Sequence, residues 1–190
     1  MKRKSLFLIS MMFIFVFSAS TSMAGGPPQV GSTLPDIKLQ KPADAAELKY
    51  LGLSGSGEFT VAQIKAQAVI LQVFSMYCPY CQKDAPNMNR LFGMIENNPT
   101  LKGKIKILGI GAGNTPFEVN TFKKRYKVVF PLVPDADFTI HKILGEVRTP
   151  YFIVVRMDGP KKPEVVYSKL GAHEDIEAFL SEVVALADMK

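Results

Sequence analysis

The sequence predicts an α/β domain with a central mixed β-sheet flanked by helices. Three observations lead there. Ala68 to Ser75 is a nearly continuous apolar run rich in β-formers, as a strand buried on both faces requires. Segments of strand and helix character alternate after it. Near the end, two strand-like runs flank Asp158-Gly159, a hairpin turn signal, so the sheet contains antiparallel as well as parallel pairs.

The first 24 residues form a separate unit. Lys2, Arg3 and Lys4 precede an apolar run from Leu6 to Phe17, and Ser22-Met23-Ala24 has the small-x-small pattern of a signal-peptidase site. That order of charge, short apolar core and small-residue exit is a secretory signal, with an uncleaved N-terminal anchor as the alternative. Its removal leaves residues 25–190, enough for one domain with a full core. Three of the 23 basic residues and none of the 17 acidic ones fall in the signal, so the net charge drops from +6 to +3. No nucleic-acid partner is inferred from so small an excess.

Gly25 to Pro35 reads as a flexible arm. Leu34 to Leu39 alternates as an edge strand does, and Lys49 to Leu53 is its expected returning strand, which together make an N-terminal β-hairpin. Thr60 is a candidate N-cap for a short helix through Lys65. After the strand at Ala68–Ser75, Met88, Leu91, Phe92 and Ile95 lie on one helical face, with Pro86 as a potential kink. A strand over Ile105–Gly111, a helix over Pro116–Tyr126, a strand over Val128–Val133 and a short helix over Asp137–Leu144 follow. Tyr151–Met157 and Glu164–Ser168 are the late hairpin, and Glu174–Ala187 is a closing amphipathic helix.

The chemistry centres on Cys78 and Cys81, the only cysteines. A bridge between them closes a tiny loop and contributes little stability, so redox chemistry explains the pair better than stapling does. Between a strand and a helix, Cys78 stands at the helix N-terminus, where unpaired amides and the helix dipole stabilise a thiolate. Cys81, one turn on and more buried, is the natural resolving thiol. Pro79 keeps the loop tight and Tyr80 offers an aromatic surface at its rim. Zinc would need His141 and His173, the only histidines, at a spacing unlike a zinc finger, and a c-type haem would want a histidine where Gln82 stands. No metal or cofactor is expected. Asn114 and Gly111-Ala112-Gly113 make a Gly-rich turn without dinucleotide-loop spacing.

Residues 68–86, AVILQVFSMYCPYCQKDAP, resemble the active-site segment of the thioredoxin superfamily, and specifically its TlpA-like, redoxin-type periplasmic branch. Val30 to Asp36 resembles the N-terminal hairpin of that branch, and Thr149-Pro150 resembles the superfamily's cis-proline. The resemblance implies a thioredoxin-like fold with an N-terminal β-hairpin and a central βα insertion. It further implies that Thr149 and Pro150 face the cysteines and bind extended substrate, and that Asp84 takes the place of a glutamate involved in proton handling. Protein disulfides as substrates, a membrane-embedded thiol electron donor, a periplasmic or other extracytoplasmic location, a monomeric state and a role as reductant, for instance in cytochrome c maturation, follow as expectations. The sequence departs from the branch at Tyr77 in place of Trp, at Gln72 in place of Asn, and at Asp84 in place of Glu. Two other functions stand beside disulfide exchange: a thiol peroxidase using Cys78 with Arg148 and Thr149, and a non-catalytic copper-binding metallochaperone.

Overall fold

The computed structural model describes residues 25–158 and 163–188; the expected signal and Gly159 of the hairpin turn lie outside them. The main sheet has five strands in the order β5-β4-β3-β6-β7. In the middle lies β3 (Ala68–Phe74), every residue of it buried, as its unbroken apolar character requires. It runs parallel to β4 (Ile105–Ala112) and antiparallel to β6 (Tyr151–Arg156). The edges are β5 (Leu132–Asp135), parallel to β4, and β7 (Glu164–Leu170), antiparallel to β6.

Alternation along β3 divides the core. Ala68, Ile70 and Phe74 face a cluster with Met88, Leu91 and Ile95 of α2 (Pro79–Glu96), Phe122 of α3 (Pro116–Arg125) and Phe179 of α5 (Ile176–Leu186). Val69, Leu71 and Val73 face the opposite cluster, which holds Leu39, Leu51, Phe59 and Leu144. Gln72 shares the parity of Ile70 and Phe74, so it is delivered to the α2 side. Pro86 sits inside α2, and the helix runs through it.

The N-terminal part differs from expectation in its details. Lys49–Leu53 is not a strand. Residues 45–51 form helix α1 (Ala45–Leu51), because Asp44 accepts the amides of Ala46 and Glu47 and Gly52, at φ 69°, closes the other end. The return strand is β2 (Glu58–Phe59), and it pairs with β1 (Leu39–Gln40), which keeps only Leu39 of the expected Leu34–Leu39 strand, so in place of the expected hairpin stands a two-residue antiparallel pair enclosing a helix. Thr60 begins a single 3-10 turn, Val61–Gln63. The Gly- and Pro-rich arm lies along the outer edge of β7: Gly31 N–H donates to Val165 O, Val165 N–H to Ser32 O and Leu34 N–H to Pro163 O, each at 2.8 Å. Pairing with β7 thus takes the place of a free arm.

Between β4 and β6 the chain inserts α3, β5 and the short helix α4 (Thr139–Ile143). Strand β5 starts four residues later than expected, because Val128 N–H is taken by Lys123 O at the end of α3 and Lys127 has φ 50°. Buried Asp135 then organises α4 by accepting the amides of Ile140 and His141 at 2.9 and 2.8 Å.

Phe152 is fully buried in β6 and meets the rings of His173 and Phe179, at centroid distances of 4.7 and 5.7 Å. Truncation to alanine removes those contacts and leaves a cavity. Phe152→Ala is expected to lower the unfolding free energy by about 3–5 kcal/mol in urea titration, whereas Leu170→Ala on the exposed end of β7 changes it by about 0.5 kcal/mol or less.

Candidate active site

The site forms where β3 hands the chain to α2. Cys78 is the N-cap of α2, with extended backbone (φ −81°, ψ 115°), and Pro79 occupies the first helical position, where its missing N–H removes no helical bond. Cys78 N–H donates to Ser75 O at 3.1 Å, and Cys81 N–H points at Cys78 Sγ at 3.4 Å. Both thiols are free; Cys78 is half-buried and Cys81 wholly buried.

The two sulfurs differ in acidity for physical reasons. Partial burial raises the Cys78 thiol, but hydrogen bonding from the Thr149 side chain, from the Cys81 thiol and from the Cys81 and Tyr80 amides outweighs it, so the net shift is downward. Burial pushes Cys81 up to about 12; an amide hydrogen bond from Ser75 opposes this, and the Cys78 sulfur adds to it. One thiol is therefore poised to ionise and its neighbour to hold its proton.

The Thr149–Pro150 peptide is cis. Thr149 O lies 3.3 Å from Cys78 Sγ and accepts from the thiol, which places this loop against the sulfur. Pro150 is buried, and Pro150 O accepts from Gly171 N–H at 2.9 Å, tying the loop to the end of β7. Tyr80 and Tyr77, exposed by 72% and 66%, flank the cysteine at the surface.

Asp84 is 1% exposed, one turn beyond Cys81 on the inner face of α2. Gln72 Nε2 approaches its Oδ2 at 3.4 Å, while Oδ1 has no hydrogen-bond partner. Burial raises the carboxyl to about 6, only partly offset by a hydrogen bond from Asn87. Cys78, Pro79, Tyr80, Cys81, Asp84, Thr149 and Pro150 thus converge at one end of β3 and α2. The histidines do not join them. His141 Nε2 bonds Val147 O at 2.8 Å, and His173 stacks on Phe179 with centroids 3.7 Å apart, where burial lowers it to about 4. Among the described residues, no group of three or more His, Cys, Asp or Glu side chains could hold a metal ion.

Three polar residues near the cysteines have contacts with the active-site loop that the sequence does not reveal. Asn114, wholly buried, accepts Met76 N–H at 2.8 Å; Gln82 Nε2 donates to Met76 O at 2.8 Å; and Glu118 accepts from the Tyr77 hydroxyl while capping α3. The Gly-Asn turn and the Thr115-to-Glu118 capping box were visible as local signals, but nothing in the sequence paired them with residues near 76.

Comparison with known proteins fits this geometry. The AhpC/TSA family matches residues 30–165. The chain is 25% identical over 147 residues to the thiol-disulfide oxidoreductase ResA of Bacillus thuringiensis subsp. konkukian, which covers 77% of this chain and 80% of that one. It is 24% identical over 167 residues to ResA of Geobacillus thermodenitrificans, covering 88% and 82%. Among solved structures, the thioredoxin domain of a thiol-disulfide oxidoreductase from Bacteroides vulgatus aligns with TM-score 0.59 at 17% identity, over 82% of this chain and 98% of that one. StoA from Bacillus subtilis aligns with TM-score 0.53 at 19% identity, over 67% and 89%. The fold is thioredoxin-like.

Two measurements check the electrostatics. Alkylation of the reduced protein with rising pH is expected to label Cys78 well before Cys81, with the order read by mass spectrometry. For Asp84, the raised carboxyl makes its stabilising contribution complete below its ordinary value of 3.8 and lost as pH rises through about 6. Asp84→Asn, which cannot ionise, is expected to flatten the fall of stability between those pH values and to gain about 1–3 kcal/mol over the parent at pH 7.

Proposed function

Because the chain belongs to the AhpC/TSA family and keeps an acid-shifted thiol beside a buried one, we propose that it is an exported thiol–disulfide oxidoreductase that reduces protein disulfides. The observation that carries this reading is the opposed environment of the two sulfurs, one at the helix mouth and one in the core.

The cycle uses this chain's own groups. Cys78 as thiolate attacks one sulfur of a substrate disulfide; an S–S bond forms to Cys78, the substrate bond breaks, and the departing thiolate takes a proton. Cys81 then gives up its proton and attacks Cys78 Sγ, releasing the second substrate thiol and closing the Cys78–Cys81 disulfide. Two electrons pass from the dithiol to the substrate. Asp84 accepts the Cys81 proton, a task suited to a carboxyl held near 6. An extended substrate segment pairs with the backbone of Thr149 beside Pro150, with Pro79 and Tyr80 bordering it.

Each turnover leaves the pair closed as a disulfide, and the oxidising compartment outside the cytoplasm does not reopen it, so a membrane-embedded thiol donor must do so for net reduction. Residues 1–24 direct export, and the chain acts as a monomer. No helix among the described residues is long and apolar enough to cross a membrane.

The reduced protein is expected to reduce a disulfide-bonded test protein, with Cys78→Ser abolishing the reaction. Cys81→Ser should stop after the first step and accumulate a mixed disulfide on non-reducing gels. Absence of both reduction by the parent and adducts of Cys81→Ser would rule the reading out.

A further inference from the structure

The three residues between the end of β3 and Cys78 belong to no regular element, yet two consecutive peptide planes among them are gripped by side chains. A peptide unit is planar and trans, so its N–H and C=O point in opposite directions and holding one fixes the other. The Ser75–Met76 unit presents Met76 N–H to Asn114 Oδ1 at 2.8 Å, and on its other side Ser75 O accepts Cys78 N–H at 3.1 Å. The Met76–Tyr77 unit presents Met76 O to Gln82 Nε2 at 2.8 Å, while Tyr77 N–H faces Ser75 Oγ at 3.5 Å.

Both grips are anchored outside the loop. Asn114 is wholly buried; its Nδ2 approaches Ser75 Oγ at 3.5 Å and its own N–H donates to Gly111 O at 3.0 Å. Gly113 before it has φ 64° and N–H bonded to Asp135 O at 2.9 Å, so the turn after β4 is itself fixed to β5. Gln82 stands in the first turn of α2, its N–H bonded to Cys78 O at 3.1 Å. A buried carboxamide is retained at a cost unless its hydrogen bonds are met, and here they are met by the backbone leading into the attacking sulfur.

We infer that Asn114 and Gln82 are positioning residues for thiol–disulfide exchange: they lock the two peptide planes before Cys78 and thereby fix its sulfur at the mouth of α2. The inference rests on Cys78 being the attacking thiol. Freed from Asn114, the Ser75–Met76 plane can rotate, and Ser75 O then no longer holds the Cys78 amide. Freed from Gln82, the next plane loses its hold on the helix. Either release lets the N-cap sulfur drift from the amides that favour its ionised form.

The test measures, for the parent, Asn114→Ala and Gln82→Met, the rate of Cys78 alkylation by iodoacetamide across pH together with the urea midpoint. Each variant is expected to move the alkylation midpoint upward by about half a pH unit or more, with about threefold slower labelling near neutral pH. The shift is expected even where the urea midpoint changes little, which a merely structural role would not produce. Folded variants with the parent's pH profile would overturn the inference. Gln82 is only half-buried, so Gln82→Met decides alone should Asn114→Ala fail to fold. A parent whose Cys78 is not labelled ahead of Cys81 would instead remove the exchange reading on which the inference stands.

Discussion

The packing of the inner face of α2 against β3 governs the site. Cys81, Asp84, Ala85, Met88, Leu91 and Ile95 all lie on that face and are all buried. Cys78, the N-cap, precedes the first full turn and stays half-exposed. Two sulfurs three residues apart are thereby forced into unlike media by the same hydrophobic contact that holds the helix in place. Burial, the largest influence on Cys81, favours its neutral form; at Cys78 less burial leaves hydrogen bonding to prevail. The asymmetry that exchange chemistry needs is a by-product of helix packing and requires no dedicated charge.

The same face explains why a carboxyl sits in an apolar cluster. Strand parity turns Gln72 toward α2, and Asp84 arrives from the helix one turn beyond Cys81, so the two meet at 3.4 Å with one carboxyl oxygen left unpartnered. Such an arrangement costs stability once the acid ionises. A buried carboxyl held near 6 changes protonation close to neutral pH, which an exposed aspartate does not do. Stability is given up at the position to which the proposed cycle assigns the proton transfer, a trade expected where function sets the environment of a group against its packing.

What could be read in the sequence followed from local periodicity. Strand β3, helix α2, strand β4 and the late hairpin carry their pattern within a few residues, and Cys78, Cys81 and the Thr149-Pro150 pair sit at the junctions those patterns define. Helix α1 is hard to read because its seven residues show little periodicity; Asp44 with Glu47 three residues later is its one local signal, and it lies between two segments whose pattern suggests strands. The late start of β5 depends on the end of α3 taking up Val128, an event outside the strand itself. Asn114 lies 38 residues from Met76 in the chain, so its role is created by the parallel pairing of β3 with β4, which brings the two strand ends together. Gln82 was noticed only for the histidine it is not, and its function emerges once the loop geometry is known.

The surface around Cys78 shows how the fold reconciles access with order. An attacking sulfur must be reachable, and reachability exposes the loop that carries it to water, where backbone groups without partners would be mobile. Here the partners are polar and come from neighbouring elements: Asn114 from the turn after β4, Gln82 from α2, Thr149 from the cis-proline loop, and Glu118 of α3 holding the Tyr77 hydroxyl. The aromatic rings of Tyr77 and Tyr80 remain exposed at the rim, free to meet an incoming chain. Tyrosine in place of the branch's tryptophan suits this scheme, since a phenolic hydroxyl at the ring tip reaches the carboxylate of the neighbouring helix while the residue stays 66% exposed. The loop before Cys78 is thus tied to three neighbouring elements while its sulfur stays partly exposed.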